Sequence, residues 1–434
     1  MRTSIIWQSP DLEITLIDIP TSIAVAQGIE DEILLSTTPL EEPFILQNEP
    51  KKKVDHVTCM EKHAEYKTLI ERGLQTIHAA IPGPWCMPRQ LITQVPKSGE
   101  GPDMQIDGPE KELETRLRVW STLDKSKGED PFDFQKMMAS IEAGADPNAT
   151  FAETMPQWMM SYSSSTEVMK EPWTGSFHNR DNHAVDLTIS ESGASSEYRF
   201  KIPARSTLFL SDSTHSDAFR ASFRELTEEY TLPRHFDLVL LDPPWPSGSA
   251  KRKRAYEQVG GMPYMMKMLY KMDIDNYLEH NAIVGIWITN KESLRNHVLG
   301  PGGLFEKWNV GLVEEWIWVK TTTKGDPMFS LDSVSRKPYE VLLLGKAAPN
   351  SWTTMAAATE VKKRVIVAVP DVHSRKPCLK ELLEPYMPDP NDYSALEIFS
   401  RYLVTGWTSW GNEVIKFNWE KHWVSREPAS KTPT

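Results

Sequence analysis

From Ser206 onward the chain alternates short apolar runs with stretches of helical spacing, and that alternation restricts its fold more than any other feature. The runs are Thr207 to Leu210, Phe236 to Leu241, Ala282 to Thr289, Leu312 to Lys320, Glu340 to Leu344, Val365 to Val369 and Ala395 to Phe399. Helical patterns lie around Met262 to Glu279, Lys291 to Phe305 and Pro377 to Tyr386. Together they predict a Rossmann-like, doubly wound α/β sheet with helices on both faces, and an antiparallel pair where Leu312 to Lys320 meets Glu340 to Leu344. No GxGxxG opens a helix after a strand, so the nicotinamide-dinucleotide fingerprint is missing.

The run Phe236 to Leu241 stops at Asp242-Pro243-Pro244-Trp245. The aspartate is thereby placed at the carboxyl end of a strand, the edge where open α/β sheets bind ligands. Two prolines fix φ twice and remove two N–H donors, leaving carbonyl acceptors beside the carboxylate and an indole next door. Such a cluster accepts hydrogen bonds and stacks a ring, as an aromatic amine substrate requires. The plainer reading is a capped strand followed by a proline turn.

The chain divides into an acidic arm with some strand (1–54), a helical N-terminal and middle domain (55–180), a β-hairpin connector (181–205), a catalytic domain (206–425) and a tail (426–434). Leu12, Ile14 and Leu16 alternate with polar neighbours in the arm. Helices are expected from Asp55 to about Ala80 and from Glu110 to Leu123, and hairpin strands over Ala184 to Ile189 and Tyr198 to Ile202. Around 143–165 mixed signals permit no assignment. Of the formal charge of −12, the first fifty residues carry −8, so local basic patches rather than overall charge would have to attract a phosphate backbone. Lys51-Lys52-Lys53 is read as a solvated charge run ahead of a nuclear-import or phosphate patch. Cys59, Cys86 and Cys378 lack CxxC spacing and the histidines lack ligand spacing, so neither a disulfide framework nor a metal is expected. No run reaches transmembrane length, and a nuclear or cytoplasmic protein is expected.

Asp242-Pro243-Pro244-Trp245 resembles the hallmark of the adenine-N6 methyltransferases of the MT-A-seventy family, and of its methyltransferase-like protein 4 branch in particular. Supporting stretches follow in the family's order: Ser211-Asp212, Ser249-Ala250-Lys251-Arg252, Trp287-Ile288-Thr289-Asn290, Lys337-Pro338-Tyr339-Glu340, His373-Ser374-Arg375-Lys376-Pro377, Leu396 to Arg401, and Gly406 to Val414. The resemblance implies a class I methyltransferase sheet using S-adenosyl-L-methionine, with cofactor contacts from Ser211, Asp212, Lys376, Arg401, Asn412 and Glu413. It implies a nucleic-acid substrate, RNA ahead of DNA and small nuclear RNA adenosine in particular, including 2′-O-methylated adenosine, with no obligate catalytic partner. DNA adenine methylation and an inactive nucleic-acid-binding scaffold are the competing readings.

Chemistry assigns the acceptor pair for the adenine amino group to Asp242 and the Pro243 carbonyl, with Pro244 holding the turn and Trp245 stacking on the purine. Directly after that turn, Lys251, Arg252, Lys253, Arg254 and Tyr256 suit phosphates and a stacked base. Asn290 at a strand end is a further substrate candidate; Lys337 and Glu340 are pocket-wall residues or a strand-edge ion pair. Trp287, Trp316 and Trp318 are expected in the core. Two departures from the family stand out: Arg375 replaces a residue that is generally histidine, and Pro246-Ser247-Gly248 replaces a polar run. Ser400 to Val404 stands where many other methyltransferases have a glycine-rich loop, a replacement that the family permits.

Overall fold

The computed structural model describes residues 2–29, 31–45, 60–92, 109–122, 158–163, 168–191, 196–246, 261–333, 336–373 and 375–426. Strands β1 (Ile5–Gln8) and β2 (Ile14–Ile17) and helix α1 (Ile19–Ala26) come first, then β3 (Glu32–Leu34), the long helix α2 (Met60–Ala80) and α3 (Pro109–Ser121). β4 (Trp158–Ser163), β5 (Val168–Pro172), β6 (Ser176–His178), β7 (Val185–Glu191), β8 (Glu197–Ile202) and β9 (Thr207–Phe209) lead into α4 (Ser216–Tyr230). Next are β10 (Phe236–Leu241), α5 (Gly261–Lys271), β11 (Leu278–Ile288), α6 (Glu292–Leu299) and α7 (Leu304–Lys307). The described chain closes with β12 (Val310–Lys320), β13 (Tyr339–Ala347), β14 (Lys362–Ala368), α8 (Lys380–Leu383), β15 (Ala395–Ile398), β16 (Thr408–Trp410) and β17 (Trp423–Ser425).

Eleven strands form one sheet in the order β1-β2-β14-β12-β13-β11-β10-β15-β16-β9-β6. From β11 to β9 the five neighbours are parallel. β12 and β13 pair antiparallel from Val310↔Ala347 to Val319↔Tyr339, as the sequence predicts, and β13 also runs antiparallel to β11. Successive side chains alternate between two apolar faces. Val239 and Leu241 join Ile286, Val367 and the helices α2, α4 and α5, whereas Leu238 and Leu240 join Trp287, Trp316 and α1. With both faces covered there is little room for a polar alternation, so the central strands are mostly apolar, interrupted at Glu314-Glu315 in β12 and Glu397 in β15. The result is a Rossmann-like α/β fold, and Trp287, Trp316 and Trp318 are core residues in it.

The sheet crosses the divisions drawn on the sequence. β2, from the acidic first stretch, pairs parallel with β14 (Val365↔Ile14, Val367↔Leu16), and all four of its residues are buried. Of the alternating Leu12, Ile14 and Leu16, the last two lie in a strand of the main sheet, while Leu12 is exposed in the turn before it with φ +61°. β7 and β8 pair as expected, from Val185↔Ile202 to Ser190↔Glu197. They are two strands of a four-stranded antiparallel sheet, β5-β4-β7-β8, covered by Leu113, Leu117 and Trp120 of α3. The helix expected to reach Glu279 stops at Lys271, where Asp273 turns left-handed (φ 47°) and β11 begins at Leu278. The helix expected from Lys291 to Phe305 is split after Leu299, since Gly300-Pro301 cannot continue the ladder. Among the described residues no helix is long and apolar enough to cross a membrane.

Candidate active site

Register brings the expected site residues to one edge of the sheet. Phe209, Trp410, Ile398 and Leu241 are successive Cα partners, so β9, β16, β15 and β10 end level. Ladder bonds continue one residue further: Gly411 N donates to Phe209 O (3.1 Å), Phe399 N to Trp410 O (2.7 Å) and Asp242 N to Ile398 O (3.2 Å). Ser211-Asp212, Asn412-Glu413, Ser400-Arg401 and Asp242 therefore emerge side by side. Antiparallel β13 delivers Glu340 at its first turn to the same edge. At the corner after β15, Phe399 adopts φ +65°, a conformation usually left to glycine, and the chain turns there without a glycine-rich loop.

A half-buried charge cluster sits at this edge. Lys376 Nζ donates to both oxygens of Asp242 (2.8 and 2.9 Å) and lies 3.2 Å from Glu340 Oε2, while Glu340 Oε1 accepts from Lys320 Nζ at 2.6 Å. Burial alone would raise the Glu340 carboxyl, but Lys320 and Lys376 outweigh it and hold it down at about 2. Burial opposes the Lys376 charge too, and Asp242 and Glu340 together raise that ammonium above its ordinary value. The ammonium is also 5.3 Å from the Trp287 ring. A fixed cation thus orients the carboxylate at the end of β10.

Beside the cluster lies a cavity whose lining includes Asp242, Trp287, Arg375, Lys376, Glu397 and Arg401. Glu397, on β15, was not among the residues expected at the site. Its Oε2 has no hydrogen-bond partner, and burial followed by the negative charge of Asp242 pushes its carboxyl up to about 8. The available signal was a charged residue between apolar neighbours in a central strand, where an unpaired charge is costly.

The remaining candidates are distributed as follows. The Pro243 carbonyl accepts from Trp245 N (2.8 Å), which leaves it one lone pair for a further donor. Trp245 is 9% exposed and its Nε1 donates to the Trp287 carbonyl at 2.7 Å. This indole pegs the turn to β11, and stacking on a purine, as expected from the sequence, would require it to leave that place. Pro244 remains in the turn, half-buried.

Ser211 Oγ accepts from Trp410 Nε1 (2.9 Å), and the Asp212 carboxylate accepts from Thr214 N and Oγ1 (3.0 and 2.8 Å) in an Asx-type turn rather than as the cap of α4. Asn412 Oδ1 accepts from Ser213 N and Oγ, tying the loops after β9 and β16 together. Arg401 Nε donates to Glu413 Oε2 at 2.8 Å, and although burial would raise the Glu413 carboxyl, Arg401 and Lys416 lower it. Asn290 lies two residues beyond β11, half-buried. Lys337 faces α2 instead of the cavity: its Nζ is 2.9 Å from His63 Nε2 and donates to the Leu331 carbonyl at 2.8 Å. Lys251, Arg252, Lys253, Arg254 and Tyr256 lie outside the described residues, as does Lys51-Lys52-Lys53.

Comparison with known proteins adds an independent line. Residues 236–413 match the MT-A70 family model. The chain is 40% identical over 190 residues to an N6-methyladenosine RNA methyltransferase MTA1 of Cryphonectria parasitica, covering 44% of this chain and 54% of that protein. It is 35% identical over 201 residues to the N(6)-adenine-specific methyltransferase METTL4 of Homo sapiens, covering 45% of this chain and 41% of that one. A Caenorhabditis elegans protein named DNA N6-methyl methyltransferase is 32% identical over 217 residues, 50% of this chain and 53% of its own length. The chain spans about half the length of the curated relatives it matches.

Proposed function

We propose that this chain, whose residues 236–413 match the MT-A70 family model, is an S-adenosyl-L-methionine-dependent methyltransferase acting on adenine N6 in nucleic acid, with RNA as the substrate. The observation that carries this reading is the Asp242 carboxylate, held at the end of β10 by Lys376 and next to a cavity. The donor set fits the cofactor. Glu397 offers an unpartnered carboxyl oxygen, and Ser409 Oγ on β16 is a second buried polar atom without a partner. Asp212, Arg401, Asn412 and Glu413 line the neighbouring loop ends, where ribose and adenine edges need acceptors and donors. When bound, S-adenosyl-L-methionine supplies an electrophilic methyl group on a sulfonium.

The residues of the chain do the rest. Asp242 and the free lone pair of the Pro243 carbonyl accept the two N–H bonds of the 6-amino group, which draws its lone pair out of the ring and stabilises the positive charge that develops on nitrogen. Lys376 keeps the carboxylate in one orientation, and the Trp245 peg keeps the turn rigid, so the acceptors are set before substrate arrives. The name of the MTA1 relative favours RNA; small nuclear RNA adenosine, 2′-O-methylated adenosine included, as the target and the nucleus as the location are carried over from the sequence resemblance. That Asp242, Lys376 and Glu340 all come from one chain supports a reading in which no obligate catalytic partner is needed.

The test is mass spectrometry of nucleosides released from RNA and DNA oligonucleotides of one sequence after incubation with labelled cofactor. N6-methyladenosine is expected from RNA, and Asp242→Ala should lower turnover by roughly a hundredfold or more with its thermal midpoint preserved. Near-wild-type turnover in that variant would remove Asp242 from its role. Product from DNA alone would favour the second reading, which the C. elegans relative's name supports.

A further inference from the structure

Behind the charge cluster lies a second one that the chemistry above does not use. Arg375 and Asp371 form an ion pair at 2.5 Å with both side chains fully enclosed, and Arg89, also enclosed, approaches the other Asp371 oxygen at 4.0 Å. Arg89 is otherwise tied to the carbonyls of Val369 and Pro370. Two guanidinium groups thus share one carboxylate, leaving one buried positive charge without a counter-charge among the described ion pairs.

The guanidinium of Arg375 is used on one side. Nη1 donates to Asp371 Oδ2 and to the Leu35 carbonyl (2.9 Å), and the Phe417 ring lies 4.3 Å from Cζ. Nε and Nη2 have no hydrogen-bond partner. Buried N–H groups of a cation are seldom left unmet, and the Nε/Nη2 edge is a fork that matches the two oxygens of a carboxylate. Arg375 lines the same cavity as Asp242 and Glu397. Of the other two cations there, Lys376 is held by Asp242 and Glu340, and Arg401 by Glu413.

Resting on the reading of this cavity as the cofactor site, we propose that Arg375 receives the methionine carboxylate of S-adenosyl-L-methionine on its Nε/Nη2 edge. The ligand then supplies the anion that the Arg89–Asp371–Arg375 cluster lacks. Lys376 is left free to position Asp242 rather than the cofactor.

The experiment is calorimetric titration of wild type, Arg375→Gln and Arg375→Lys with two nucleosides: S-adenosyl-L-methionine, and 5′-methylthioadenosine, which has the same adenosine but no amino-acid carboxylate. Arg375→Gln should weaken the first roughly tenfold to a hundredfold and leave the second within about twofold. Arg375→Lys, which keeps the charge without the fork, should fall between. If both ligands weaken in parallel, or neither does, Arg375 is structural and the proposal fails. If wild type binds neither nucleoside, the cofactor reading itself is overturned. Should Arg375→Gln not fold, comparing S-adenosyl-L-methionine with its decarboxylated form on the wild-type protein and Arg375→Lys decides the same point. An equal preference for the two forms in both proteins would refute the proposal.

Discussion

Glu397 couples the site to pH. Its carboxyl, lifted to about 8 by burial and then by Asp242, retains its proton in a range where the unfolded chain, at an ordinary value of 4.5, has released it. The folded protein binds more protons between those limits, so this stabilising contribution is complete below the lower one and is lost as pH rises through the upper one. Glu397→Gln should therefore flatten the fall in thermal midpoint between about pH 5 and pH 8, with its largest gain over wild type at the alkaline end; an unaltered slope would show that the carboxyl is already ionised. Asp242, Lys376, Glu340, Arg401 and Glu413 were legible in the sequence because they fall within ordered motifs, and strand register then collects them at one edge. Glu397 was passed over although it lies in the stretch Leu396 to Arg401, and its missing partner, like the orphaned edge of Arg375, is a property of the packed chain. Lys337 was misplaced for a related reason: sequence distance from Glu340 does not say that Lys337 reaches His63 on α2.

Helix α2 shows how an element far away in sequence is fastened to the sheet. Tyr66, Ile70, Leu74 and Ile77 form its buried stripe, and Tyr66 Oη donates to Glu315 Oε2 at 2.8 Å. Glu315, 1% exposed on β12, also pairs with Arg295 of α6 and lies 3.6 Å from Lys62. Removing the hydroxyl leaves a buried carboxylate short of one donor, so Tyr66→Phe should cost about 1–2 kcal/mol of stability, read as a lower urea midpoint with an unchanged slope. No shift in midpoint would mean that water replaces the hydroxyl. The stripe was readable from its spacing, whereas this anchor joins residues hundreds of positions apart. The apolar middles of the central strands were readable because both faces are apolar, although β11, β13 and β14 extend beyond the expected runs. Helix ends were less so, since a left-handed Asp273 or a Gly300-Pro301 break obeys local backbone geometry rather than periodicity.

At the scale of the molecule the sheet is not confined to residues 206–425. That segment alone would lose β1 and β2, baring the backbone edge of β14, and also α1 and α2, which cover opposite faces of the sheet. Expressed by itself it should be insoluble or unfold without cooperativity; a soluble fragment with a sharp thermal transition that binds cofactor would show that the N-terminal elements are dispensable. This dependence is not visible in the charge of the first fifty residues, which read as an acidic arm with some strand, while their apolar positions, Ile14, Leu16, Ile17, Ile19 and Ile23 among them, complete the core. The pairing of charges around the cavity carries one more consequence. Arg375, Lys376 and Arg401 each already face a carboxylate, in Asp371, Asp242 and Glu413. With the cofactor carboxylate supplying the remaining counter-charge at Arg375, a polyanionic strand passing by finds little net attraction there, so its grip has to come from other surfaces, and how tightly the polymer is held can be tuned without disturbing how the methyl group is handed over.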